Sequence, residues 1–128
     1  MGDPRMSVTE TFGALYRFFE DFGLPVYAEG DAPARARPPY ITVRLVAPGW
    51  EQTAGFMARL WYRGPRFDDA ARMADAIGEA IGPGTVLNVE GVAVWLYRDA
   101  PFAQFMPFEA DPMLKCVVLR LKVQALVA

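Results

Sequence analysis

Histidine is absent from the 128-residue sequence, and cysteine occurs once, as Cys116. Without histidine the chain lacks the usual general base and the commonest metal ligand. A single thiol forms neither an internal disulfide nor a thiolate metal site. A basic excess is also missing: 13 Lys and Arg stand against 15 Asp and Glu, a net charge of −2. A sequence-independent grip on nucleic acid or on an anionic membrane needs the opposite balance. No apolar run approaches the roughly 20 residues of a membrane-spanning helix, and the longest, around Val92–Tyr97, has the length of a strand. The opening MGDPRMSVTE carries charges and no apolar stretch. No secretory signal is therefore expected, and the product is expected to be soluble and to stay in the compartment where it is made. The 11 prolines and 11 glycines are scattered between short elements, with no low-complexity tract.

What is present is the balance of a folded domain, 53% apolar and 22% charged. A chain of this length closes one core and hardly two. Ser7 followed by Glu10 has capping-box spacing, and Val8, Phe12, Leu15, Phe19 and Phe22 recur at helical intervals. A first helix is expected over about Val8–Phe22, ended by Gly23 and Pro25. Residues 1–6 then form a loose extension, with either Met1 or Met6 as the start, and residues 7–128 a single domain. A short strand around Val26–Glu29 follows, then a loop, Gly30–Pro39, carrying Arg35 and Arg37 among prolines.

Alternation marks the next strands. In Tyr40–Ala47, Ile41, Val43, Leu45 and Ala47 face one way and Tyr40, Thr42 and Arg44 the other. After a turn region at Pro48-Gly49-Trp50, Thr53–Arg63 places Ala54, Phe56, Ala58, Leu60 and Tyr62 on a core face. Thr53, Met57, Arg59, Trp61 and Arg63 lie opposite, and the two runs read as an antiparallel pair. Phe67, Ala70, Ala71, Ala74, Ile77 and Ile81 give a second helix over about Phe67–Ile81, opened by Asp68 and Asp69 and stopped by Gly82-Pro83-Gly84. Val86–Val89 and Val92–Arg98 flank a hairpin turn at Glu90-Gly91. Asp99–Pro112 reads as a long apolar loop, and Leu114–Val127 as the last strand, with Val117, Leu119, Leu121, Val123 and Ala125 inward. The order is α-β-β-β-α-β-β-β. This is an α+β fold with a mainly antiparallel or mixed sheet and both helices packed on one face.

Residues that could carry chemistry are few. Cys116 sits among apolar neighbours without a base to activate it and reads as a structural thiol. Asp68 and Asp69 stand where they favour a helix dipole rather than a metal. Gly82–Gly91 is glycine-rich but lacks the Lys-Ser/Thr of a phosphate loop. Glu109 and Asp111 lie beside prolines in a loop, where carboxylates are ordinarily solvated. No catalytic, cofactor-binding or metal-binding residue is nominated.

Two features ask for another account. Phe102, Phe105, Met106 and Phe108 fall in the segment Ala100–Phe108, which either folds back over the core or meets a partner protein. The outer strand faces gather Met57, Arg59, Trp61 and Val118, a mixture of aromatic and arginine typical of interfaces unless a second layer covers it. The candidate subunit-interface residues are Met57, Arg59, Trp61, Phe102, Phe105, Met106 and Phe108.

Taken in order, LPVYAEG, PPYITVRLV, ARLWYRG, a helix ending DAIGEAIG, VAVWLYRDAPFAQ and the closing VVLRLKVQALV span about Ser7 to the C-terminus. The most specific pieces are Pro39-Tyr40-Ile41-Thr42, Leu60-Trp61-Tyr62, and Trp95-Leu96-Tyr97-Arg98 with Pro101-Phe102-Ala103-Gln104. Together they resemble the tail terminator family of tailed bacteriophages, prophages and phage-tail-like particles, whose members are also described as tail completion or minor capsid proteins. The segment Phe105–Phe108 departs from that pattern, being more apolar than the polar turn expected there.

The resemblance implies a structural, non-enzymatic viral protein. It would form a homo-oligomeric ring, typically a hexamer, that caps the tail tube, stops its polymerisation and provides the joint to the head connector. Its partners would be itself, the tail tube protein and the head–tail connector protein, with no cofactor, no membrane and no sequence-specific nucleic acid. It would occur in the bacterial host cytoplasm during assembly and then in the virion tail or a phage-tail-like particle. The neighbouring alternative is another head–tail connector or minor capsid subunit. Alternatives of a different class are a small enzyme, which needs polar groups converging in a cleft, and a ligand-binding module, which needs a preformed apolar pocket.

Overall fold

Apolar residues at helical spacing form two helices, α1 (Val8–Glu20) and α2 (Asp68–Ile81). In the computed structural model, which describes residues 8–46, 53–89 and 92–125, both pack on one six-stranded sheet. α1 stops short of Phe22: the Phe22 and Gly23 amides donate to the Phe19 and Glu20 carbonyls, and Gly23 turns the chain at a φ of 86°. α2 begins after Phe67 without a side-chain cap, carries Asp68 and Asp69 in its first turn, and closes with the Gly82 amide on the Gly78 carbonyl. The capping side chains of Ser7 and Glu10, the extension over residues 1–6, Ala47, the turns at Pro48–Trp50 and Glu90-Gly91, and Val127 lie outside the described residues.

The strands are β1 (Val26–Ala28), β2 (Tyr40–Val46), β3 (Thr53–Arg63), β4 (Thr85–Val89), β5 (Val92–Pro107) and β6 (Leu114–Ala125). They lie in the order β1-β2-β3-β6-β5-β4, with β1 parallel to β2 and every other pairing antiparallel. The expected order of elements and the α+β class hold. The register sets core residues side by side: Val43 opposite Ala58 and Ala58 opposite Leu119, Ile41 opposite Leu60 and Leu60 opposite Val117. Leu15 and Phe19 from α1 and Ala70, Ala74, Ile77 and Ile81 from α2 fill the same buried cluster. Each large side chain removed from water there contributes about 2 kcal/mol. Phe19 stacks on Phe56 with centroids 5.5 Å apart, and the Tyr16 hydroxyl donates to the Val26 carbonyl. α1 touches β1 and β2 at one edge of the sheet and β4 at the other, so the sheet curls around it.

One segment corrects the sequence expectation. Asp99–Pro112 is not a loop, because β5 continues to Pro107 and pairs with β6 from Ala103 opposite Leu119 to Pro107 opposite Lys115. A bulge absorbs part of that segment. The four residues Asp99–Phe102 stand opposite Arg120 alone, and Pro101, which has no amide to give a ladder, falls among them. The Ala100 amide donates to the Asp99 carboxylate at 2.9 Å. Past Leu96, β5 has no partner on its other side among the described residues, so this half is a sheet edge, where proline is tolerated.

The bulge also decides which way each side chain goes. Phe102 turns inward against Gly78 of α2, where a Cβ would stand 3.1 Å from its ring, and the Arg98 guanidinium lies 5.7 Å from its centroid. Phe105, opposite the inward Val117, meets Phe67 at 5.0 Å on the helix side. Met106, opposite Cys116, lies on the outer face.

Candidate functional site: the outer face of the sheet

Alternation that sends Ile41, Leu60 and Val117 inward sends their neighbours to the face turned away from both helices. There, Tyr40, Trp61, Cys116 and Met106 form one cross-strand row, and Thr42, Arg59, Val118 and Gln104 the next. Arg44, Met57 and Arg120 follow in a third. The Trp61 indole N–H donates to the Thr42 hydroxyl at 3.0 Å, which fixes the ring's direction. Four rings then line up across the sheet: Tyr27 edge-on to Tyr40 at 5.8 Å, Tyr40 stacked on Trp61 at 6.3 Å, and Trp61 stacked on Phe108 at 5.8 Å. Such offset and edge-on pairs contribute about 0.5–1.5 kcal/mol each beyond their burial.

Phe108 reaches this position because the chain turns sharply after β5. The Asp111 amide donates to the Phe108 carbonyl, the Arg63 guanidinium donates to Asp111 at 2.8 Å, and the Lys115 ammonium donates to the Pro112 carbonyl. The hydrogen bond from Arg63 holds the Asp111 carboxyl below its ordinary range. Glu109, in the same turn, is exposed.

Arg59, Trp61, Met106, Phe108, Cys116 and Val118 line a groove of about 250 Å³. Its floor is covered although it faces outward: Cys116 is 2% and Val118 7% exposed. Burial pushes the Cys116 thiol up to about 11, with the Arg59 charge pulling weakly the other way. The thiol therefore stays protonated at neutral pH and is a poor nucleophile. A second groove of about 190 Å³ continues beside Met57, lined by Val46, Asp99 and Arg120 among others. Arg44, Arg59, Arg120 and Lys122 make the face basic, and Arg59 is paired with Glu29 at 3.0 Å.

Five of the nominated interface residues, Met57, Arg59, Trp61, Met106 and Phe108, thus share one face. Phe102 and Phe105 do not, since both lie on the helix side. The sheet therefore divides the segment Ala100–Phe108: Met106 and Phe108 join the strand face around Trp61, and Phe102 and Phe105 lie on the helix side. Tyr27, Tyr40, Arg44 and Arg120 belong to the face and were not nominated. Their signal was present, since each alternates with a core residue on its strand. Asp68 and Asp69 stand at 3.8 Å from Arg66 and 2.8 Å from Arg72.

Among the described residues, no three Cys, Asp or Glu side chains gather as metal ligands do. No described helix is long and apolar enough to cross a membrane. Compared with models of protein families and with curated proteins, the chain matches none.

Proposed function

We propose that the chain is the subunit of a ring that closes the end of a phage-type tail tube, stops its growth and offers a joint to the head connector. The observation that carries this reading is the outer sheet face. Its ladder of Tyr27, Tyr40, Trp61 and Phe108, with Met57, Met106 and several arginines beside it, has the composition of a protein–protein interface core. An ordinary solvated sheet face carries polar side chains instead. The groove there has apolar walls and a guanidinium already paired to Glu29, which suits docking better than proton transfer. The resemblance of PPYITVRLV, ARLWYRG and VAVWLYRDAPFAQ to tail terminators supplies the biological setting, and no catalytic role is proposed.

The test is the length of tails made with and without the protein. Electron microscopy of particles from a tail-producing host is expected to show uniform tubes with the wild type and overlong tubes when the gene is deleted. Light scattering on the purified chain is expected to give one closed oligomer, a hexamer by the resemblance. Tubes of normal length in the deletion overturn the reading.

A further inference from the structure

A head-to-tail ring contact uses two different patches on every subunit. The structure divides one of the two that the sequence nominated: Met106 and Phe108 join the Trp61 face, Phe102 and Phe105 lie on the helix side, and the outer face needs a counterpart. Charge identifies one. Arg44 and Arg120 flank Met57 from the two neighbouring strands, and both are exposed. Neither forms an ion pair with another described residue.

The opposite sign is concentrated on α2. Its sequence DDAARMADAIGEAI holds four acids and one arginine, a formal −3, in a chain whose total is −2. Asp75 and Glu79 stand one turn apart on its exposed side and form no ion pair among the described residues. Ala76 and Ala80 beside them are exposed and small, so another surface can approach the helix closely. α2 and the outer face lie on opposite sides of the sheet. A contact between them cannot place the same patch against itself, and it repeats from copy to copy in one direction.

We infer that the exposed side of α2 in one copy docks on the outer sheet face of the next, Asp75 and Glu79 meeting Arg44 and Arg120 around Met57. The inference rests on the ring reading above and names the two surfaces that form its joint. It gives the outer face the helix layer that it lacks among the described residues, and the charges set the orientation of docking.

The test uses two charge-reversed variants of the full chain, Arg44→Glu with Arg120→Glu, and Asp75→Arg with Glu79→Arg. By light scattering at about 0.1 M salt, each alone is expected to associate about tenfold or more weakly than the wild type. Mixed in equal amounts they are expected to regain association, because both joints of the mixture are again complementary. Recovery on mixing also shows that each variant is folded. A wild type that forms a closed oligomer while both variants assemble unchanged, or fail to recover on mixing, overturns this joint and leaves the ring standing. A wild type that stays monomeric and does not alter tail length overturns both. Binding of a single-stranded oligonucleotide by the wild type, lost in the arginine variant and without self-association, assigns the face to nucleic acid and overturns the inference.

Discussion

The Phe108 ring lies on the Trp61 indole, with 5.8 Å between centroids and 27° between planes, and so ties the turn after β5 to the middle of the outer face. The Cys116 thiol, 2% exposed, lines the same groove as that ring. Phe108→Ala is expected to cost about 1–2 kcal/mol, since the ring is half-buried. It should also raise the rate at which a neutral alkylating agent labels Cys116 severalfold. Unchanged labelling would show that Phe108 does not cover the thiol.

Phe102 and Phe105 are three residues apart in one strand and do different work. Phe102 packs on Gly78, whereas Phe105 is 46% exposed. Phe102→Ala is expected to lower stability by about 2–3 kcal/mol and Phe105→Ala by less than about 1 kcal/mol. Urea unfolding monitored by circular dichroism measures both. Equal losses would place Phe105 in the core.

Trp61→Asp introduces a charge on the outer face and breaks the hydrogen bond to Thr42, while Ala58 and Leu60 beneath keep their core contacts. A folded monomer that no longer limits tail length is the expected product. Light scattering and tail measurements decide it. Tails of normal length with this variant would remove the outer face from the ring joint.

Gly84 has a φ of +149°, and a Cβ built there would stand 1.9 Å from the Trp95 Nε1. Gly84→Ala must displace the indole, which itself stacks on Tyr97 at 4.4 Å. A loss of about 2–3 kcal/mol is expected, seen as a lower thermal midpoint and a changed tryptophan emission. Gly55→Ala, with nothing within 4 Å of its Cβ, is the near-neutral control.

Burial holds the Cys116 thiol at about 11 against an ordinary 9.0. Between those values the folded chain keeps a proton that the unfolded chain has given up. The contribution is therefore complete below about pH 9 and is lost as pH rises through the window, with a slope of at most ~1.4 kcal/mol per pH unit. The stability advantage of wild type over Cys116→Ala is expected to shrink from pH 9 to pH 11. A constant difference would mean that the thiol titrates alike in both states. Ring assembly by Cys116→Ala at neutral pH should be unchanged.

Local rules made much of this fold legible. The alternation of Ala54, Phe56, Ala58 and Leu60 against Met57, Arg59 and Trp61 fixes which face of β3 is inward, and the apolar stripe of α2 fixes its contact with the sheet. What stayed hidden depends on partners distant in sequence. Pro101 and Pro107 fall in the segment that reads as a loop, and nothing local shows that one lies in a bulge and the other at a strand's end. Without that bulge the directions of Phe102, Phe105 and Met106 cannot be assigned. The aromatic ladder was invisible for the same reason, since Tyr27, Tyr40, Trp61 and Phe108 come from four segments brought together by strand order.

β6 comes last of the strands in the chain yet lies between β3 and β5. In the chain up to Met113, β1–β3 and β4–β5 share no strand pairing, and only the helices span them, α1 touching β1, β2 and β4 and α2 touching β3 and β5. Until Leu114–Ala125 follows, Phe56, Ala58 and Leu60 lack the neighbours Leu121, Leu119 and Val117. β6 is the keystone, and a chain cut before Leu114 is expected to expose the margins of β3 and β5 and to become a substrate for chaperones or proteases instead of a closed domain.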